Sequence, residues 1–219
     1  VSAHTLIPST SGPSTFLAEG ETIELHGSFG SEDRVLALPD HQHLYMRLAP
    51  VSKVELINST REAKDLINKG GVRPLGGSQG GWNSGRNQHG GFVVSDSDGS
   101  ILCLTQLFLN QEIWGIDTFA LDFERVKGWA DGKFGYIAGG YIESACISTL
   151  EGYLRLYREV LNVQPPVQLI VGLTSVKGYR MCAPEGQHFG GYEKFGGRVV
   201  EDNLEWTCQI DDLKKNPKE

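Results

Sequence analysis

The longest helical periodicity in the chain runs from Tyr141 to Asn162. Apolar residues recur there every three or four positions, at Ile142, Ala145, Cys146, Thr149, Leu150, Tyr153, Leu154, Tyr157 and Leu161. This spacing is typical of an amphipathic helix with one buried face. Pro165 and Pro166 prevent the helix from continuing. We expect it to contribute most to the core, because each fully buried apolar side chain adds about 1.5–3 kcal/mol.

Shorter apolar runs predict a sheet. Residues 92–95, 101–109 and 113–119 are joined by an Asp-Gly turn and an Asn-Gln link, which predicts a three-stranded meander. Further strands are predicted at residues 21–25, 34–38, 41–48 and 167–173. A capping box that begins at Ser59 predicts a short helix that ends at Gly70. The predicted fold is therefore α+β: a mixed, largely antiparallel sheet packed by one long amphipathic helix and a short one.

The predicted strand at 41–48 alternates in polarity. Leu44, Met46 and Leu48 point one way, and His41, His43, Tyr45 and Arg47 point the other. Two histidines on one strand face can ligate a metal, but no third ligand is evident nearby. We expect the polar face to be solvated, and we predict no metal site.

Length and charge limit the alternatives. The chain has 219 residues and a net charge of −7, from 20 Lys and Arg against 27 Asp and Glu. We expect an irregular N-terminal arm over residues 1–20 and a single α+β domain over 21–213, which together form the C-terminal part of a longer protein. An acidic domain repels phosphate at long range, so a nucleic-acid footprint needs a local basic patch.

The cysteines and the hydropathy indicate the compartment. Cys103, Cys146, Cys182 and Cys208 are scattered and include no C-x-x-C pair, which favours a reducing environment over a zinc ribbon. No apolar run approaches the length of a membrane span. We expect a cytoplasmic protein with no cofactor and no contact with a membrane.

Residues 70–91 form the most unusual segment, GGVRPLGGSQGGWNSGRNQHGG. Its glycines predict a loop without regular strands. The residues it carries, Arg73, Trp82, Arg86 and His89, are of the types that stack on bases and bind phosphates. Lys177 and Arg180 are candidates to join them in a nucleic-acid or ligand contact. The alternative is a surface loop whose Trp82 packs back onto the core.

The same segment contains a G-x-S-x-G pattern over residues 76–80. A nucleophile elbow needs a strand before it and a helix after it. Pro74 and the surrounding glycines predict neither element. We therefore name no catalytic residue, and an uncharacterised hydrolase stays the second alternative.

Several blocks together resemble the region downstream of the AlbA-type DNA-binding domain in bacterial Schlafen-like proteins. They are HLYMRLAP (43–50), RPLGG and GWNSGRNQHGGFVV (within 73–94), LTQLFLNQEIWGID (104–117), residues 141–181, and EDNLEWTCQID (201–211). The resemblance places the AlbA-type domain before Val1, so that domain's activity is not carried over to these residues.

The resemblance and the residues together favour a non-catalytic module of a bacterial DNA-binding transcriptional regulator. Such a module is accessory, regulatory or oligomerising, and it binds a protein partner or itself. Nucleic acid would then be bound through the upstream domain. The first alternative is direct contact with nucleic acid or a nucleotide through residues 70–91.

Overall fold

The computed structural model describes residues 22–25, 34–38, 42–77, 81–126, 134–182, 195–214 and 217. The expected arm over residues 1–20, His41, and residues 78–80 of the G-x-S-x-G pattern lie outside this set. The strands are β1 (Thr22–Leu25), β2 (Arg34–Ala37), β3 (Leu44–Pro50), β4 (Asn83–Asn87), β5 (Gly90–Ser97), β6 (Ser100–Phe108), β7 (Ile113–Asp117), β8 (Tyr136–Ile137), β9 (Val167–Leu173), β10 (Arg180–Cys182), β11 (Phe195–Arg198) and β12 (Leu204–Ile210). The helices are α1 (Thr60–Lys69), α2 (Phe123–Val126) and α3 (Gly139–Leu156), and α3 continues into a π-helical turn at Tyr157–Leu161.

Among the described strands, nine form the main sheet and three form a smaller one. In the main sheet, β4, β5, β6, β7, β3, β9 and β12 follow one another in antiparallel pairs. The β1–β2 pair joins β6 through a parallel contact. In the smaller sheet β10 lies between β11 and β8, and its pairing with β8 is parallel. The predicted α+β class with a mixed, largely antiparallel sheet is confirmed, as is the β5–β6–β7 meander.

The short helix α1 begins and ends where its sequence predicts. The Ser59 hydroxyl accepts a hydrogen bond from the Glu62 amide at 3.2 Å, and Gly70 caps the C-terminus. α1 buries Ala63 and Ile67. A Cβ at Gly91 would collide with the α1 backbone, so glycine at this position lets α1 lie directly on β5.

The long helix α3 is fixed to the sheet by two buried tyrosines. Tyr153 and Tyr157 are fully buried. The Tyr157 hydroxyl lies 2.9 Å from the Leu48 carbonyl and 2.6 Å from the Gln111 carbonyl. A Cβ at Gly115 would collide with the Tyr153 hydroxyl, so β7 leaves room for this ring. The predicted buried face of the helix is confirmed at these positions.

The opposite face of the sheet is buried as well, which corrects one prediction. His43, Tyr45 and Arg47 are 6, 8 and 5% exposed, although the alternation in β3 predicted a solvated face. A second apolar cluster covers this side: Leu36, Leu38, Tyr45, Phe92, Val94, Ile101, Leu104, Phe108, Trp114, Ile116 and Ile170. The prediction was wrong because β7 and β9 place Trp114, Ile116 and Ile170 of this cluster beside Tyr45 and Arg47 on the same face of the sheet.

Arg47 is buried together with a carboxylate. Its guanidinium lies 2.9 Å from Glu112 Oε2, and both side chains are at most 6% exposed. Trp114 Nε1 donates a hydrogen bond to the same oxygen at 3.2 Å, and Asn110 Nδ2 donates to Glu112 Oε1 at 3.0 Å. Both carboxylate oxygens are therefore satisfied, which a buried ion pair requires to offset the loss of hydration.

Several strands were not predicted. Asn83–Asn87 lies inside the segment predicted as a loop, yet it forms β4 along the edge of β5. The strands β8, β10, β11 and β12 were also missed. The strands β4, β8, β10 and β11 are short and have low strand propensity, so tertiary pairing decides them. The alternation of Leu204, Trp206, Cys208 and Ile210 was a signal for β12 that the sequence reasoning did not use. None of the described helices is long and apolar enough to cross a membrane.

Replacing Glu112 by Gln is expected to lower the free energy of unfolding by about 3–5 kcal/mol, because the buried charge of Arg47 would lose the Glu112 carboxylate. The matched control is Glu159→Gln, which breaks the exposed Arg158–Glu159 pair and should cost less than about 1 kcal/mol. Urea denaturation measures both. Equal small losses in the two variants would show that the buried pair does not contribute as described.

Candidate functional site

A cleft of about 430 Å³ lies between the glycine-rich segment after α1 and the exposed side of α3. Its walls are formed by Gly71, Arg73, Pro74, Gly76, Gly77, Tyr141, Ser144, Ala145, Ser148, Thr149, Glu151, Gly152 and Arg155. The α3 wall is built mainly from small residues one helical turn apart, Ser144 and Ala145, Ser148 and Thr149, and Gly152. These short side chains leave the space that the cleft occupies.

The backbone at Arg73 is held against the core by a buried hydrogen-bond relay. The Thr105 hydroxyl on β6 donates to the Arg73 carbonyl at 3.0 Å. It also lies 2.7 Å from the Tyr153 hydroxyl on α3. Burial raises the pKa of Tyr153, so its phenol stays protonated and can donate to Thr105. The relay fixes the opposite wall of the cleft to both β6 and α3.

Asp117 fixes the glycine-rich segment at Gly76. It is 1% exposed and accepts hydrogen bonds at 2.8 Å from the Phe119 and Ala120 amides. The Tyr141 hydroxyl donates to Asp117 Oδ2 at 3.1 Å. Gly76 has a φ of +71°, and a Cβ there would collide with the Asp117 carboxylate. Glycine is thus required at this position both by conformation and by space.

Two cysteines lie within the field of Asp117 and are poorly suited to act as nucleophiles. The pKa values of the Cys103 and Cys146 thiols are both raised to about 12. Burial is the larger cause, and the negative charge of Asp117 is the next. A thiol with such a pKa carries almost no thiolate at neutral pH, and the thiolate is the reactive form. Thiol chemistry is therefore disfavoured beside this cleft.

The cleft has two cationic side chains. Arg155 Nη2 donates to the carbonyls of Gly70 and Gly71 at 3.2 and 3.5 Å, so its charge is held without a carboxylate partner among the described residues. The Arg73 guanidinium lies 5.4 Å from the centre of the Trp82 ring, a cation–π contact. Glu151 is the acidic residue on the cleft wall.

Of the predicted contact residues, the structure brings Arg73 and Trp82 together. Trp82 is 41% exposed. Arg86 is exposed on β4. His89 lies at the tip of the β4–β5 hairpin, where its amide donates to Asn87 Oδ1 at 2.9 Å and its ring lies 6.5 Å from that of Phe108.

The other two candidates lie next to the smaller sheet. Lys177 is exposed in the turn before β10. Arg180 begins β10 and places its guanidinium 4.7 Å from the centre of the Phe134 ring. No ring contact or hydrogen bond between described residues joins either of them to Arg73 or Trp82.

Sequence reasoning missed the α3 side of the cleft. The helical pattern placed Ser144, Ser148, Glu151 and Arg155 on a solvated face, and the structure shows that the glycine-rich segment faces them. A signal was present in Gly152, a glycine in the middle of a long helix, where this residue costs about 1 kcal/mol relative to alanine.

A second candidate surface is the last strand of the sheet. β12 pairs regularly with β9 over seven residue pairs, but none of its residues is buried. Leu204, Trp206, Cys208 and Ile210 share the face of the sheet that α3 covers further in, and Trp206 is 56% exposed. On the other face, the Tyr45 hydroxyl donates to Glu205 Oε2 at 2.6 Å. Leu204 and Ile210 are half-buried against the main core, whereas Trp206 and Cys208 in the middle of the stripe are exposed.

Comparisons of the chain with protein-family models, curated proteins and solved structures found no match. The resemblance to the Schlafen-like region consequently stays a prediction. Among the described residues, no group of three or more His, Cys, Asp or Glu side chains is arranged to hold a metal ion. The chemistry of the site therefore rests on its arginines, hydroxyls and glycines.

Replacing Thr105 by Val is expected to cost about 1–3 kcal/mol of unfolding free energy, because the Tyr153 hydroxyl and the Arg73 carbonyl would both lose a buried partner. Tyr153→Phe should cost less, since Thr105 would still donate to Arg73. Chemical denaturation of both variants checks which one loses more unfolding free energy. A larger loss for Tyr153→Phe would contradict the relay.

Proposed function

We propose that this chain is a non-catalytic module that self-associates through β12 and serves a bacterial DNA-binding regulator of the Schlafen-like type. The observation that carries the proposal is a seven-residue strand of the main sheet with no buried residue and a Trp206 that is 56% exposed. An apolar strand at a sheet edge is a ready template for another strand.

The strand lacks the features that normally protect a sheet edge. Between Leu204 and Ile210 there is no lysine and no proline, and its register with β9 shows no bulge. Its one charged residue, Glu205, is bonded to Tyr45, which lies on an inner strand of the sheet. The charge that would discourage pairing is thus partly compensated within the same chain.

The sequence of β12 suits a second copy of itself. An antiparallel pair centred on Thr207 places Trp206 opposite Cys208 and Leu204 opposite Ile210, all on one face. On the other face, Glu205 lies opposite Gln209, so no like charges are opposed within the strand. Two copies related by a two-fold axis would then share one continuous sheet and one apolar stripe.

Self-association fits a region that lies downstream of a DNA-binding domain, as the resemblance to Schlafen-like proteins implies. A dimerising module attached to a DNA-binding domain presents two such domains together. Two-fold symmetric proteins of this kind read two half-sites, and the linkage raises the effective affinity for DNA without new contacts. A module with this task needs an interface and a stable core, and it needs no catalytic group.

Trp206→Ser is expected to raise the dissociation constant of the self-associated form by about tenfold or more, because a central tryptophan is a common interface hot spot. Sedimentation equilibrium measures the constant. The matched control is Trp82→Ser, which removes another exposed tryptophan away from β12 and should leave the constant unchanged.

A folded wild-type chain that stays monomeric at high concentration would contradict self-association through β12. Equal effects of Trp206→Ser and Trp82→Ser would contradict the location of the interface. Circular dichroism of both variants checks that neither has lost its fold.

The second candidate function is a nucleic-acid or nucleotide contact surface around the glycine-rich segment. The observation in its favour is the contact of Arg73 with the half-exposed ring of Trp82, next to the exposed Arg86 on β4. An aromatic platform beside guanidinium groups can stack on a base and pair with a phosphate. This local cationic surface would have to act against the acidic net charge of the chain.

Under this second candidate, single-stranded DNA or RNA binds with an affinity that falls steeply as salt rises. The double variant Trp82→Ser with Arg86→Gln should abolish that binding, whereas Trp206→Ser should not affect it. Fluorescence anisotropy at two salt concentrations measures both effects. Binding that the double variant leaves unchanged would remove this segment from consideration.

A further inference from the structure

The cleft between the glycine-rich segment and α3 contains a glycine that packing does not require. A Cβ built at Gly152 meets nothing within 4 Å, and its φ is not in the left-handed region. Glycine in a helix interior costs about 1 kcal/mol relative to alanine. Gly152 lies on the cleft wall, where any longer side chain would fill the space.

The same wall presents hydroxyl groups to the cleft. Thr149 is 7% exposed and lines the cleft. Its hydroxyl forms no hydrogen bond with any described residue. The hydroxyl oxygen is not among the fully buried unpaired atoms of the described residues, so it is open to the cleft and a ligand there can form a hydrogen bond with it. Ser144 and Ser148 add hydroxyl groups one turn apart along the same wall.

The charges around the cleft indicate the kind of ligand. Arg73 and Arg155 line it and have no carboxylate partner among the described residues, while Glu151 is the acidic group on the wall. Guanidinium groups bind carboxylates and phosphates, and a carboxylate accepts hydrogen bonds from hydroxyl groups. A volume of about 430 Å³ accommodates one small molecule rather than a polymer.

We infer that this cleft binds a small polyhydroxylated anion, whose phosphate or carboxylate lies against Arg73 and Arg155 and whose hydroxyl groups contact Thr149 and Glu151. The glycine at 152 leaves the room that such a ligand occupies. The cleft does not include β12, which lies at the end of the strand order. The inference therefore adds a small-molecule site to the proposed self-associating module.

Isothermal titration calorimetry of the full chain with ribose 5-phosphate and with gluconate tests the inference, and uncharged ribose serves as the reference. At least one of the two anions is expected to bind more tightly than ribose. If only ribose 5-phosphate binds, the anionic group of the ligand is a phosphate. If only gluconate binds, it is a carboxylate.

Two variants locate the binding. Gly152→Leu fills the cleft, and Arg73→Gln removes one charged donor. Each should weaken binding by about tenfold or more, the loss expected for a charge-assisted hydrogen bond or a blocked site. The matched control is Gly140→Leu, because Gly140 is also in α3 with open space at its Cβ but does not line the cleft.

Failure of both anions to bind would overturn the inference. Binding that is equally tight in the wild type and in Gly152→Leu would also overturn it, because the ligand would then lie elsewhere. Thermal melts of Gly152→Leu and Gly140→Leu should show that both variants remain folded, since leucine is a better helix former than glycine. Neither result depends on whether β12 self-associates.

Discussion

The position of α3 on the sheet determines which surfaces the protein leaves open. Tyr153 and Tyr157 anchor the helix over β6, β7 and β3, through Thr105 and through the carbonyls of Leu48 and Gln111. Gly115 provides the space that lets the Tyr153 ring approach β7. α1 lies directly on β5 in the same way, at Gly91. The two helices therefore cover the middle of the sheet, and the central residues of β12, Trp206 and Cys208, stay exposed.

The same placement creates the cleft. One side of α3 is buried, and the adjoining side carries short residues that face the glycine-rich segment across an open space. The Thr105 relay holds Arg73 at a fixed distance from the helix, and Asp117 fixes Gly76 and Tyr141 at the other end. Both walls of the cleft are thus anchored to the core, which pre-forms the site and lowers the cost of ordering it on binding.

The sequence predicted the elements whose signal is local. The periodicity of α3, the capping of α1 by Ser59 and the meander of β5, β6 and β7 depend on near neighbours, and the structure confirms them. The burial of Arg47 was not predictable in this way, because it depends on a partner, Glu112, that is far away along the chain. For the same reason, Ser148 and Arg155 were assigned to solvent. Their environment is set by segments that meet them only in the folded chain. The edge strand β4 was missed because its sequence, NSGRN, has no apolar alternation.

Hydrogen–deuterium exchange of the β12 amides at several protein concentrations tests the central claim most directly. In an edge strand, alternate N–H groups face away from the neighbouring strand and have no backbone partner. If β12 is the interface, those outward amides become protected as concentration rises, while amides buried under α3, such as that of Thr105, keep the same exchange rate. Protection of β12 that does not change with concentration would contradict the account.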